Sequence, residues 1–203
     1  VKLTDFAKRH QHDIQNDPVF RHRFLQMCGP LGVDPLASQK TVLGKLLGMG
    51  DFYHELAVKI AEVCLANKSR NGGIMSIKEI QGILKQRKTR LGMASQQTDV
   101  SVSDIQVAIQ KLGKLGGGFR TVQVGKSTMV VSVPTELDND HMEVMEVANK
   151  MGGVTLDQVM NSTGWNRPRA ERALELLLQE GMAWLDEHNG VSYYWFTSLW
   201  QEK

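Results

Sequence analysis

Residues 155–196 read TLDQVMNSTGWNRPRAERALELLLQEGMAWLDEHNGVSYYWF, and this stretch decides the fold. Thr155 and Gln158 match a capping box, in which both side chains satisfy backbone N–H groups at the start of a helix. Gly164-Trp165 supplies a turn, and Asn166 can cap the next helix. The apolar residues of that helix recur at i, i+3, i+4, i+7 and i+8, as an amphipathic helix requires, before Gly181 ends it. They are Ala170, Ala173, Leu174, Leu177 and Leu178.

Two β-rich runs, 182–186 and 191–196, follow this helix pair. Asn189-Gly190 between them tolerates the positive φ angles of a tight hairpin turn. Upstream, Asp140 precedes an apolar stripe at helical spacing that stops at the pair Gly152-Gly153. The stripe consists of Met142, Met145, Ala148 and Met151. A helix, a helix-turn-helix and a hairpin in this order predict a winged-helix domain.

The middle of the chain repeats this layout about eighty residues earlier. Asp51 precedes the stripe of Leu56, Ile60, Val63 and Cys64, which ends at Asn71-Gly72-Gly73. Ser76 and Glu79 then form a second capping-box pattern. The predicted second helix carries Ile77, Ile80, Ile83 and Leu84, and the third carries Ile105, Ile109, Leu112 and Leu115, from near Ser101 to the glycines 116–118. Strands are predicted at 119–124 and 127–133.

The fold class predicted from these patterns is mainly α with small β-hairpin wings (α+β). An N-terminal helical segment, 1–49, precedes two tandem winged-helix domains, 50–134 and 135–203. The link 134–139 contains Pro134 and little Gly or Ser, so we expect a stiff pair of domains. In the N-terminal segment, Asn16-Asp17-Pro18 restarts a helix. This mildly basic segment packs against the first domain or a partner helix, or it contacts a membrane surface or phosphate.

Composition and motifs exclude several classes of protein. The chain of 203 residues is 41% hydrophobic, with no apolar run of membrane-spanning length. The two cysteines, Cys28 and Cys64, lie within helical patterns and have no companion CxxC, which argues against a disulfide framework and a zinc site and favours a reducing compartment. Gly125-Lys126-Ser127 lacks the first glycine and following helix of a phosphate-binding loop and is interpreted as a hairpin turn. Since no catalytic constellation occurs, the chain is predicted to be neither an enzyme nor a binder of a cofactor or metal.

Charge argues against nucleic acid as a partner. In the later third helix Arg167, Arg169 and Arg172 are matched by Glu171, Glu175 and Glu180, and the net charge is only +2. The most basic run, KQRKTR at 85–90, is predicted to lie in a loop after the second helix. A winged-helix transcription regulator is kept as the alternative function, because it shares the fold.

The second hairpin instead indicates a protein interface. Its two runs place apolar side chains on both faces, and one face suffices to cover the domain core. The other face would form an exposed patch rich in Trp and Tyr, which is typical of interaction sites. In the alternative interpretation, the domain itself and Leu199-Trp200 bury both faces.

Five stretches resemble one protein family, the EAP-thirty or Snf-eight subunits of the endosomal sorting complex ESCRT-II. They are 32–38 (GVDPLAS), 50–56 (GDFYHEL), 70–73 (RNGG), 133–137 (VPTEL) and 176–186 (LLLQEGMAWLD). The order and spacing of these stretches extend the likeness from Phe6 to Phe196, which is nearly the whole chain.

The resemblance implies a non-catalytic scaffold without cofactor, assembled with one larger subunit and two copies of a small winged-helix subunit. Such a complex sorts ubiquitinated membrane cargo into multivesicular bodies, so a cytoplasmic protein recruited peripherally to the endosomal membrane is expected. By the same resemblance, the second winged helix receives the proline- and aromatic-rich end of one small subunit. The partner-binding residues are then Trp184, Tyr193 and Trp195 as a pocket, with Asp186 pairing with a partner cation.

Overall fold

The computed structural model describes residues 2–36, 42–90, 99–116, 118–133 and 137–199. Four N-terminal helices come first: α1 (Lys2–Arg9), α2 (Gln11–Asn16), α3 (Pro18–Cys28) and α4 (Val42–Leu47). Asp17 caps α3, since its carboxylate accepts hydrogen bonds from the backbone N–H groups of Val19 and Phe20, with Pro18 in the first turn. This confirms the helix restart predicted at Asn16-Asp17-Pro18.

The first helix-turn-helix and sheet follow in the predicted order. The elements are α5 (Met49–Asn71), β1 (Ile74–Ser76), α6 (Ile77–Arg90), α7 (Val102–Lys114), β2 (Phe119–Val124) and β3 (Ser127–Ser132). The strands form an antiparallel sheet in the order β1-β3-β2. Gly125, with φ of 56°, lies in the turn between β2 and β3, which confirms the interpretation of Gly125-Lys126-Ser127 as a hairpin turn.

The second winged helix repeats these parts. It consists of α8 (Asn139–Met151), β4 (Gly153–Thr155), α9 (Leu156–Thr163), α10 (Arg167–Gln179), β5 (Trp184–His188) and β6 (Val191–Trp195), followed by a 3₁₀ turn at Thr197–Leu199. Its sheet has the order β4-β6-β5. Asn189 and Gly190 have φ angles of 52° and 74°, so the predicted tight turn is confirmed.

The capping box that opens α9 is present. The Gln158 backbone N–H donates to the Thr155 hydroxyl at 3.2 Å, and the Thr155 backbone N–H donates to the Gln158 amide oxygen at 2.9 Å. We expect Thr155→Ala to lower the free energy of unfolding by about 1 kcal/mol, because backbone N–H groups lose their partner.

Urea unfolding followed by circular dichroism measures this change. Ser162→Ala, an exposed position of the same helix, is the control and should change stability by less than about 0.5 kcal/mol. Equal effects of the two substitutions would contradict a stabilising role of the cap.

Several predicted details are wrong. KQRKTR at 85–90 belongs to α6 and does not form a loop. Met151 and Leu115, assigned to buried stripes, are 54% and 77% exposed. Asp138 caps α8 in a capping box with His141, which was not predicted. The two short strands β1 and β4 were not predicted.

The chain divides into two compact units, one comprising Val1–Ala61 and Lys78–Lys114 and the other Glu62–Ile77 and Leu115–Lys203. In the second unit, the first sheet shares one core with the second winged helix: Val124 and Val131 are buried in the same cluster as Ala148 and Leu174. Residues 134–136 of the link lie outside the described residues, and the expected stiffness of the pair stays a prediction. The domain boundaries stated above stay a prediction.

Candidate functional site

The four predicted partner-binding residues lie on one face of the β5–β6 hairpin. Trp184 is directly opposite Trp195 in the strand register, and Asp186 is opposite Tyr193. Opposite residues of an antiparallel pair share a face, as do residues two apart on one strand. The rings of Tyr193 and Trp195 stack with centroids 6.2 Å apart and planes 22° apart. The hairpin therefore presents a carboxylate beside three aromatic rings.

This face, which we call the wing patch (Trp184, Asp186, Tyr193 and Trp195), is accessible. Trp184 is 57% exposed, Asp186 is exposed, and Tyr193 and Trp195 are half-buried. An open depression of about 580 Å³ is lined by Trp184, Leu185, Asp186, Trp195 and Thr197. Sequence reasoning did not identify Leu185 or Thr197, and Tyr193 lies outside the lining.

The opposite face of the hairpin packs against the domain. Tyr194 contacts the core cluster, whereas its strand partner Leu185 remains 51% exposed. The interpretation in which both faces are buried is therefore wrong for the described residues. Leu199 is buried, and Trp200 lies outside the described residues.

Gly153 positions the ring of Trp195. The two residues pair in the register of β4 and β6, and a Cβ built at Gly153 would come within 2.6 Å of that ring. The indole therefore lies directly on the glycine backbone. A glycine inside a strand often marks such a close approach, so Gly152-Gly153 carried a signal that the sequence analysis used only as a helix end.

The cations of α10 are engaged within the chain. Arg167 pairs with Glu171 at 2.7 Å, as expected. Arg169 pairs instead with Asp140, through two hydrogen bonds of 2.8 and 2.7 Å, and its guanidinium lies 4.3 Å from the centroid of a Trp165 ring. The hydrogen bond from Arg169 holds the pKa of Asp140 below its ordinary value. Because two of the three arginines of α10 already pair with carboxylates of the same chain, this helix offers little uncompensated positive charge to phosphates.

Among the described residues, no group of three or more His, Cys, Asp or Glu side chains converges in a way that could hold a metal ion. None of the described helices is both long and apolar enough to cross a membrane. Cys28 and Cys64 are buried free thiols.

Two vacuolar-sorting proteins are similar to this chain in sequence. The chain is 46% identical over 201 residues to the vacuolar-sorting protein SNF8 of Xenopus tropicalis, covering 98% of this chain and 76% of the relative. It is 43% identical over 197 residues to the vacuolar protein sorting-associated protein 22 homolog 1 of Arabidopsis thaliana, covering 96% of this chain and 77% of the relative.

Solved structures show the same architecture. A chain in the structure of the ESCRT-II endosomal trafficking complex superposes with a TM-score of 0.74 at 28% identity, covering 98% of this chain and 88% of that chain. A chain of the endosomal complex ESCRT-II (VPS22/VPS25/VPS36) superposes with a TM-score of 0.71 at 30% sequence identity. The match covers 97% of this chain and 87% of that chain. Residues 1–187 also match the model of the EAP30/Vps36 family. Because the family match and the sequence relatives extend over nearly the whole chain, this protein belongs to the EAP30/Vps36 family.

Proposed function

We propose that this chain is a non-catalytic scaffold subunit of an ESCRT-II complex and acts in sorting ubiquitinated membrane cargo into multivesicular bodies. The observation that carries the proposal is the fold match across 98% and 97% of the chain to subunits of two ESCRT-II structures. The names of the relatives, which refer to vacuolar sorting, agree with it. The chain works from the cytoplasm and reaches the endosomal membrane through its complex.

The proposed assembly contains one larger subunit and two copies of a small winged-helix subunit. We assign the wing patch to one small subunit. An exposed Trp beside a stacked Tyr and Trp suits the proline and aromatic side chains of a partner terminus, because aromatic anchors dominate interface energetics. Asp186 at the edge of the patch suits a cation of that partner.

Coexpression with the larger and small subunits, followed by size-exclusion chromatography with light scattering, tests the assembly. A stoichiometric complex containing two small subunits is expected. A chain that remains alone, monomeric or self-paired, in the presence of both candidates would contradict the scaffold proposal.

Substitutions in the wing patch test the binding site. We expect Trp184→Ala and Trp195→Ala each to weaken binding of the isolated small subunit at least about tenfold, as removal of a central aromatic anchor does. Asp186→Lys should weaken it through charge reversal. Isothermal titration calorimetry measures the dissociation constants, and thermal unfolding verifies that each variant is folded.

Glu187→Lys is the matched control for Asp186→Lys. Glu187 is the next residue of β5, is also exposed, and lies on the opposite face of the strand. The Glu187→Lys variant should bind the small subunit as the wild type does. If folded Trp195→Ala and Asp186→Lys variants also bind as the wild type does, the wing patch is not the site.

A nucleic-acid-binding regulator remains the competing function, and the engaged arginines of α10 argue against it. Titration with duplex DNA at two salt concentrations separates the two functions. A tight, strongly salt-dependent affinity would favour the regulator, because each phosphate contact releases counterions.

A further inference from the structure

A groove in the first unit is not part of the wing patch. It has a volume of about 520 Å³ and lies between the start of α3, the first half of α5, one face of α6 and the segment before α7. Its residues are Pro18, Phe52, Glu55, Leu56, Lys59, Lys78, Gln81, Gly82, Leu84, Lys85, Lys88, Asp99, Val100 and Ser101. We call it the α6 groove.

The floor of the α6 groove is apolar and held in place. Phe52, Leu56 and Leu84 supply carbon surface. The Phe52 ring is fixed on one side by the Arg21 guanidinium, 4.6 Å from its centroid, and on another by Tyr53, 5.0 Å away in an edge contact. An apolar floor with fixed rings is preorganised for apolar side chains of a ligand.

The wall formed by α6 uses one face of a helix of 14 residues. Lys78, Gln81, Lys85 and Lys88 recur at three- and four-residue spacings along one face of the helix. At 1.5 Å per residue this face runs for about 15 Å, close to three helical turns. A groove of this length fits an amphipathic helix lying along it better than it fits a compact small molecule.

Gly82, in the middle of α6, has no role in the packing of the described chain. A Cβ built there meets nothing within 4 Å, and its φ is not in the positive range. Glycine inside a helix is destabilising relative to alanine, because it loses more backbone freedom on folding. In the α6 groove, the missing side chain leaves room for an occupant to approach the α6 backbone.

The rim of the α6 groove carries surplus positive charge. It contains four lysines and two carboxylates. Lys59 pairs with Glu55 at 2.7 Å, and Lys88 pairs with Asp99 at 3.4 Å. Lys78 and Lys85 are exposed and make no ion pair within the part of the chain that the structure describes. The occupant is therefore expected to bring acidic groups.

We propose that the α6 groove binds an acidic amphipathic helix of a protein partner. The apolar side of that helix packs on Phe52, Leu56 and Leu84, its backbone crosses α6 at Gly82, and its carboxylates pair with Lys78 and Lys85. The apolar floor favours a peptide over a phosphate headgroup, which would use only the rim. This proposal is independent of the scaffold function and of the wing patch.

Fluorescence anisotropy with the full chain tests the proposal. The probe is a labelled synthetic helix built of Glu-Glu-Leu-Leu repeats, and the comparison helix has Lys in place of every Glu. The acidic probe is expected to bind at least about tenfold more tightly, and its affinity should fall as salt is added.

Two substitutions locate the binding. The leucine side chain in Gly82→Leu fills the groove, so the affinity for the acidic probe should fall at least about tenfold. Because leucine has a higher helix propensity than glycine in α6, the melting temperature should not decrease. Lys85→Glu should also weaken binding, whereas Lys114→Glu, an exposed lysine of α7 outside the groove, should not.

Four outcomes would overturn the proposal. The acidic probe does not bind, or it binds Gly82→Leu and Lys85→Glu as it binds the wild type. Phosphatidylserine vesicles bind through Lys85 while the probe does not, which would assign the rim to lipid. The chain dimerises in light scattering and Gly82→Leu makes it monomeric, which would assign the groove to a second copy.

Discussion

Asp104→Ala is expected to lower the free energy of unfolding by about 3–5 kcal/mol, the cost of removing one partner of a buried ion pair. Arg21 and Asp104 are each only 1% exposed. The Arg21 guanidinium donates two hydrogen bonds to Asp104, of 2.9 and 2.8 Å. Without the carboxylate, the cation of Arg21 would remain buried and uncompensated. Urea unfolding measures the loss.

The loss should be large because the Asp104 carboxylate is the centre of a network. Besides the bonds from Arg21, it accepts hydrogen bonds from the Tyr53 hydroxyl at 2.6 Å and from the Ser101 backbone N–H and hydroxyl at 2.9 and 2.8 Å. Arg21 belongs to α3, Tyr53 to α5, and Asp104 to α7. One substitution therefore loosens three helices of the first unit together.

The same network predicts a pH dependence. Burial alone would raise the pKa of Asp104, but the hydrogen bonds from Arg21, Tyr53 and Ser101 and the charge of Arg21 outweigh burial and lower it below 3.8. A lowered folded-state pKa contributes stability that is complete above the unfolded value and is lost as the pH falls through the folded value. The wild type should therefore lose stability below pH 3.8 more steeply than Asp104→Ala does.

Two control experiments distinguish the contribution of this buried network to stability from the contribution of an exposed ion pair. Lys59→Ala breaks an exposed pair with Glu55 and should cost no more than about 1 kcal/mol. Combining Asp104→Leu with Arg21→Met should recover part of the loss, because neither buried charge then remains. A cost below about 1 kcal/mol for Asp104→Ala would contradict the network.

Gly72→Ala should lower the free energy of unfolding by about 2–4 kcal/mol, for two reasons that add. Gly72 has a φ of +63°, a conformation that costs alanine about 1 kcal/mol. A Cβ there would lie 2.2 Å from the Gly181 carbonyl oxygen and 2.5 Å from the Met182 Cα. Because both obstacles are backbone atoms, the chain following α10 would have to move, at an overpacking cost of about 1–3 kcal/mol.

Gly152→Ala is the matched control for Gly72→Ala, because Gly152 occupies the equivalent place after α8. It has a φ of +83°, but a Cβ there meets nothing within 4 Å. This substitution should therefore cost only the backbone strain, about 1 kcal/mol. Thermal unfolding of both variants measures the difference between their melting temperatures. Equal melting temperatures would show that the close approach of Gly72 to Gly181 does not add to the cost of the substitution.

Features that depend on neighbours along the chain were predictable. The cap at Thr155, the cap at Asp17 and the turn at Asn189-Gly190 each involve residues within about four positions, and all three are present. The repeated glycine pairs revealed two copies of one layout. Strand alternation also predicted an exposed aromatic face on the second hairpin. The four residues of the wing patch came from the family resemblance, and their binding role stays a proposal.

Some of the failures have a local cause that the sequence analysis missed, and others depend on partners that are distant along the chain. Residues 85–90 contain neither Gly nor Pro, so α6 continues through them. The strands β1 and β4 have three residues each, and they exist because β3 and β6 supply partners. Leu115 fits the spacing of the α7 stripe, yet α7 ends at Lys114 and leaves it exposed.

The sequence by itself determined the order of the elements, their caps and their turns, since backbone hydrogen bonds and φ preferences are settled by adjacent residues. Only the tertiary structure decided that Arg21 meets Asp104 83 positions away and that Gly72 touches the chain after α10. It also decided that Trp184 remains exposed and that α6 borders a groove. Such contacts depend on burial and on the close packing of distant segments, which no local pattern encodes.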